Sequence, residues 1–146
     1  MIHDVALQNL NVTFCLDRSG IVGADGATHQ GIFDLAYMRC IPNLTIAAPR
    51  NEHELRNLMF TVQSREMGPF VIRYPRGKGT TPEWHNTPVA IEPGTGEKLK
   101  DGTDVAVLTI GTMANTALKA IEILESDSDL SIALYDMRFV KPLDEK

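Results

Sequence analysis

Three side chains able to do chemistry crowd into one glycine-rich stretch, Arg18-Ser19-Gly20-Ile21-Val22-Gly23-Ala24-Asp25-Gly26-Ala27-Thr28-His29-Gln30-Gly31. The glycines let such a segment bend sharply or approach a ligand closely. A further arginine, Arg76, follows the apolar run Pro69-Phe70-Val71-Ile72-Arg73-Tyr74, and Asn51 and Glu52 follow another, Leu44-Thr45-Ile46-Ala47-Ala48-Pro49. The planar fork of arginine suits phosphate oxygens. Imidazole accepts or donates a proton near neutral pH. The implied chemistry is an anion grip beside a proton-transfer group. Each residue also has a plainer reading. His29 can satisfy loop backbone groups, Asp25 suits a glycine-flanked turn, and Arg18 and Arg76 can pair on the surface with Asp17 and Asp4.

The spacing Gly20-x-x-Gly23-x-x-Gly26 matches neither the dinucleotide fingerprint nor the P-loop, which needs Gly-Lys-Ser/Thr. Ala24-Asp25-Gly26 resembles the Gly-Asp-Gly that opens one diphosphate-metal motif. Ala24 is wrong for it, however, and no downstream asparagine is paired with it. No metal site is expected.

The elements that must carry these residues follow from hydrophobic pattern. Asn11 to Asp17, Leu44 to Pro49 and Pro69 to Tyr74 read as buried strands. Between them, Ile32 to Tyr37 reads as a short helix, which puts His29 near a helix start, where the dipole favours neutral imidazole. Asn51 is a candidate N-cap with Glu54 in capping-box position, and Leu55, Leu58, Met59 and Val62 form a helical apolar stripe. Strand, helix, strand, helix, strand implies an α/β fold, a parallel sheet with helices on both faces. Residues 77–103, with Pro82, Pro88 and Pro93, read as an interdomain linker, with room for short strands. Asp104 to Ile110 is a strand, and Thr112 is the simplest N-cap of the next helix. That helix turns Ala114, Ala117, Leu118, Ile121 and Leu124 to a core, and Leu130 to Met137 is a final strand. The expected division is therefore 1–76, linker 77–103 and 104–146. The last part is a single β-α-β unit that cannot cover both of its own faces, so it reads as truncated. In such sheets ligands bind at the carboxyl ends of strands, where the candidate residues lie.

Composition narrows the function classes. The net charge of −5 argues against nucleic acid as the main partner. Positive charge is uneven: residues 1–76 hold seven Arg and no Lys, whereas residues 77–146 hold six Lys and one Arg. No apolar run reaches the ~20 residues of a membrane helix, and no signal peptide is visible at the start. Cys15 and Cys40 lack metal-ligand spacing and sit among apolar neighbours, so buried free thiols in a reducing cytoplasm are expected.

The stretch Asp17 to Gly31 resembles the acceptor-binding loop of 1-deoxy-D-xylulose-5-phosphate synthases, transketolase-like thiamine-diphosphate enzymes. The likeness continues through Phe33 to Asn43, Glu54-Leu55-Arg56 and Ile72-Arg73-Tyr74-Pro75-Arg76-Gly77. Met137 to Asp144 resembles that family's third domain. The Asp25-Gly26-x-Thr28-His29 core is shared with wider transketolase and pyruvate-dehydrogenase relatives, and the flanking matches select the synthases.

The resemblance implies a segment of a transferase holding part of a pyrimidine-binding domain and the first β-α-β unit of a C-terminal domain. It implies a cytoplasmic homodimer that uses thiamine diphosphate and Mg2+. Such an enzyme decarboxylates pyruvate and joins the remaining two-carbon unit to D-glyceraldehyde 3-phosphate. The product serves isoprenoid, thiamine and pyridoxal synthesis. By position, Arg18 and Arg76 correspond to residues that hold the acceptor phosphate, Asp25 to one near the sugar hydroxyl, and His29 to the catalytic residue beside the reacting carbonyl. The family's cofactor-activating glutamate and its metal ligands have no counterpart in this chain. No cofactor-binding residue is therefore assigned, and the isolated segment is expected to be inactive. Competing expectations are a non-enzymatic α/β module and the β subunit of a 2-oxoacid dehydrogenase.

Overall fold

The computed structural model describes residues 1–81, 85 and 87–146; the linker residue Pro82 lies outside them. Two sheets organise the chain. The first has the order β1-β3-β2-β7, from β1 (Thr13–Leu16), β2 (Thr45–Ala47), β3 (Phe70–Arg73) and β7 (Phe139–Lys141). The second has the order β4-β6-β5, from β4 (Glu97–Lys100), β5 (Val105–Thr109) and β6 (Ile132–Asp136).

Alternation along β3 divides the first core in two. Phe70 and Ile72 pack with Leu58 and Val62 of α2 (Glu52–Ser64), while Val71 packs with Met38 of α1 (Asp34–Met38), Leu44 and Ile46. A strand buried on both faces must read as a continuous apolar run, as this one does. β1 and β2 both pair with β3 in parallel, as expected. α2 starts at Asn51, whose side chain accepts a hydrogen bond from the Glu54 amide at 2.9 Å. The Glu54 carboxylate does not complete a capping box; it takes a two-pronged bond from Arg138 at 2.8 and 3.1 Å.

Each sheet also has an antiparallel edge that the pattern did not foresee. β4 runs against β6, and β7 runs against β2. β5 is parallel to β6, so β4 is antiparallel to β5, and the short connection 101–104 has no room for a parallel crossover. Gly102 passes so close to β6 that an added Cβ would fall 2.1 Å from the Ala133 nitrogen and the Ile132 carbonyl carbon. β7 ties the C-terminal part to the first sheet, where Phe139 meets Phe70 edge-to-face at 6.4 Å.

Within the segment 77–103, the described residues Val89 and Ile91 are held to α2. The Val89 and Ile91 amides bond to Asn57 Oδ1 and Thr61 Oγ1, polar groups buried on α2, and Ile91 enters the first core. α3 (Met113–Ser126) covers one face of the second sheet with Ile121, Ala117 and Leu118. Three expectations need correction here. Leu124 is 51% exposed rather than in the core. Thr112 occupies the N-cap position without a side-chain cap. Cys15 and Cys40 are both exposed, because β1 is a sheet edge and Cys40 lies in the turn after α1.

Candidate functional site

β1 and β3 are neighbours that end together, so their following residues meet at one edge of the sheet. The backbone bond from the Ser19 amide to the Tyr74 carbonyl, at 3.1 Å, extends that pairing past the strands. The glycine-rich loop leaves there and returns on itself. Gly20 and Gly31 exchange amide-to-carbonyl bonds of 2.8 and 2.9 Å, closing its base. Only glycine fits at position 31, since a Cβ would sit 2.5 Å from the Arg18 carbonyl oxygen. Inside the loop, Gln30 accepts from the Val22 amide at 2.7 Å and donates to the Gly26 carbonyl at 2.7 Å. Gln30 was not singled out from the sequence, although its side chain orders the turn that presents Asp25.

Three of the four candidate side chains converge. Arg18 Nε donates to Asp25 Oδ2 at 2.6 Å, and Arg76 Nη1 donates to Asp25 Oδ1. Arg18 also pairs with Asp17 at 2.9 Å and adopts φ 58°, a left-handed conformation uncommon for a residue with a Cβ. Two guanidinium groups thus face one carboxylate, one oxygen each. Arg76, and to a lesser degree Arg18, lowers the Asp25 carboxyl below its ordinary 3.8 by hydrogen bonding to its charged form. Asp25 in turn raises Arg18. A lowered carboxylate contributes to stability above its unfolded value and loses that contribution as pH falls through the folded one. The loop clamp is therefore complete at neutral pH and weakens as pH falls below the ordinary carboxylate range. A carbon-detected NMR titration of the Asp25 carboxyl should give a midpoint below 3.8; a midpoint at or above the ordinary value would contradict the paired geometry.

His29 stands apart from this cluster. Its ring bonds Thr28 Oγ1 at 2.9 Å, its amide bonds the Gly26 carbonyl, and its side chain is exposed. α1 begins at Asp34 rather than beside His29, so the expected helix start at the imidazole is not there. The reason lies in Ile32 and Phe33, which are exposed apolar residues of the loop exit and not the first turn of a buried helix face.

Arg76 also lines a cavity of about 430 Å³ at the ends of β2 and β3, with Arg50, Glu52, Tyr74, Lys78 and Thr112. Asn51 and Glu52, noted as loop polar groups, serve the fold there. Asn51 caps α2, and the Glu52 carboxylate accepts from the Thr81 amide at 3.1 Å. A second charged group was not anticipated. Arg50 and Arg138 meet Glu54, Glu97 and Asp136 between the two sheets, with Arg50 to Asp136 at 3.2 Å and Arg138 to Glu97 at 2.6 Å. Asp136 has no exposed surface, and burial pushes its carboxyl up against the pull of the Arg138 amide and Arg50. Sequence gave no signal for this group, because its members lie up to 88 positions apart. Among the described residues no three His, Cys, Asp or Glu side chains gather in a way that could hold a metal ion. The donors among the described residues do not fit a metal-diphosphate site. No helix among the described residues is long and apolar enough to cross a membrane.

Residues 1–81 match the family "Transketolase, pyrimidine binding domain", and residues 94–146 match "Transketolase, C-terminal domain". The chain is 58% identical over 146 residues to the 1-deoxy-D-xylulose-5-phosphate synthase of Bacteroides fragilis and 60% identical to that of Bacteroides thetaiotaomicron. It is covered completely in both matches but spans only 22% and 23% of those relatives. Among solved structures, a split-gene transketolase described as an inactive beta4 tetramer superposes with TM-score 0.82 at 33% identity. That match covers 98% of this chain and 45% of the other. A transketolase mutant from Pichia stipitis shares the fold at TM-score 0.73 and 19% identity, over 97% of this chain and 21% of that one. With its glycine-rich loop and Arg76 carried on neighbouring parallel strands of a pyrimidine-binding-type sheet, the chain belongs to the transketolase family.

Proposed function

We propose that this segment forms the acceptor-substrate half of a 1-deoxy-D-xylulose-5-phosphate synthase active site. The observation that carries the reading is the convergence of Arg18 and Arg76 on the two oxygens of Asp25. Two forked cations around a carboxylate form a seat for an anion, and a phosphate dianion on an aldehyde substrate fits their charge and hydrogen-bonding capacity. When D-glyceraldehyde 3-phosphate enters, its phosphate takes the two guanidinium groups and Asp25 turns to a sugar hydroxyl. Fixing the phosphate holds the aldehyde carbon in reach of attack.

Thiamine diphosphate, bound with Mg2+ by parts of the whole enzyme other than this segment, supplies the electron sink for pyruvate decarboxylation. As the new carbon–carbon bond forms at the aldehyde carbon, the carbonyl electron pair moves onto oxygen. His29, exposed on the loop, donates the proton that this oxygen takes up. The division of the chain follows: 1–76 pyrimidine-binding part, 77–103 linker and 104–146 start of the C-terminal domain. The whole enzyme is a cytoplasmic homodimer, and the isolated segment is inactive.

A segment exchange tests the proposal. These 146 residues replace their counterpart in the Bacteroides fragilis synthase, and product formation from pyruvate and glyceraldehyde 3-phosphate is followed. The hybrid should retain activity, with the parent's acceptor preference. A folded, dimeric hybrid that releases carbon dioxide from pyruvate but forms no five-carbon product would reject the segment as an acceptor site.

A further inference from the structure

Arg73 is the last residue of β3, three positions before Arg76, and its side chain does not enter the acceptor cluster. It runs beneath the glycine-rich loop instead. Nε donates to Asp34 Oδ2 at 2.5 Å, and Nη2 donates to Asp34 Oδ1 at 3.2 Å and to the Gly31 carbonyl at 2.6 Å. The Arg73 and Asp34 side chains are only 14% and 11% exposed. Gly31 is the residue whose backbone closes the loop on Gly20, and Asp34 is the first residue of α1. One guanidinium therefore grips both the closure point of the loop and the helix that follows it. The strand it belongs to carries Arg76 at its exit.

A buried ion pair is weak evidence for stability, because the cost of removing both charges from water offsets their attraction. Its geometry is the more informative property. Loop residues Arg18 and Asp25 must stand at a fixed distance from Arg76 if both arginines are to take one anion. At Gly20, Gly23 and Gly26 nothing lies within 4 Å of where a side chain would be, so the loop takes no packing support at these positions. The Ser19 to Tyr74 backbone bond fixes the entry of the loop to β3, and Arg73 fixes its exit to the same strand.

We infer that Arg73 and Asp34 are a positioning pair that sets the spacing between the loop and Arg76, and hence the selectivity for a phosphorylated acceptor. The inference rests on the acceptor reading above. The test uses the full-length enzyme carrying this segment, with Arg73→Met and Asp34→Leu combined. Replacing both charges by apolar groups of similar volume leaves no buried charge unpaired. The double variant should fold and release carbon dioxide from pyruvate as before. Its kcat/KM for glyceraldehyde 3-phosphate should fall about 10²-fold, the cost of a misplacement near 1 Å, with a smaller fall for glyceraldehyde. Amide hydrogen exchange across residues 20–31 should quicken. Arg73→Lys keeps the buried charge but cannot span Asp34 and Gly31 together, and it carries the same expectation should the double variant not fold.

Unchanged exchange and an unchanged acceptor preference would overturn the positioning role. Arg76→Ala, run alongside, separates the two levels. If that variant loses phosphate selectivity while the Arg73 and Asp34 variants keep it, only the positioning pair is wrong. If Arg76→Ala itself shows no phosphate selectivity, the acceptor reading falls and the inference falls with it.

Discussion

In the full-length enzyme carrying this segment, His29→Ala should slow carboligation by about 10²–10⁴-fold, the usual contribution of a general acid–base group. The side chain is exposed on the glycine-rich loop, and its ring bonds the Thr28 hydroxyl at 2.9 Å. That leaves a ring nitrogen available to a carbonyl oxygen arriving from solvent. On the proposed acceptor role, decarboxylation of pyruvate makes no use of His29, so release of carbon dioxide should change far less. Rapid-quench measurement of the two half-reactions separates the steps. Loss of decarboxylation with carboligation spared would move His29 out of the acceptor site.

The arginines should show a smaller effect of a different kind. On the proposed reading each guanidinium makes charge-assisted bonds to the phosphate, so Arg18→Ala or Arg76→Ala should lower kcat/KM for the phosphorylated aldehyde roughly 10- to 100-fold. The two substitutions should also leave Asp25 differently. Arg76 is the larger cause of its lowered carboxyl, so Arg76→Ala should raise the Asp25 titration midpoint more than Arg18→Ala does. Since neither variant touches the first core, thermal unfolding should move little. A large loss of stability with equal losses on every acceptor would mark the arginines as structural.

What could be read from the sequence was whatever depends on near neighbours. The apolar runs around Phe14, Ile46 and Val71 became β1, β2 and β3, and Asn51 capped α2 as its spacing to Glu54 implied. The resemblance of the glycine-rich stretch brought Arg18, Asp25 and Arg76 together, and the fold joins all three. Features that need a distant partner stayed hidden. Asn57 and Thr61 look like the solvent side of a helix until Val89 and Ile91 lie across them. Arg73 looks like the end of a strand, and Asp34 like an acid in a helix first turn, until a separation of 39 positions is closed between them. The antiparallel edges β4 and β7 were equally unreadable, since three- and four-residue strands carry too short a pattern to show direction. The helix start at His29 was misplaced for a related reason. Exposed apolar residues at a loop exit have the composition of a first helical turn.

The most direct measurement is the ratio of kcat/KM for D-glyceraldehyde 3-phosphate to that for unphosphorylated glyceraldehyde, before and after Arg76→Ala. An anion seat built by Arg18 and Arg76 requires a strong preference for the phosphorylated aldehyde in the unaltered enzyme. Arg76→Ala should then lower that ratio by about 10- to 100-fold, because only the phosphorylated substrate loses a contact. A ratio that does not change, with both acceptors slowed alike, would show that the convergence on Asp25 belongs to the fold and not to the substrate.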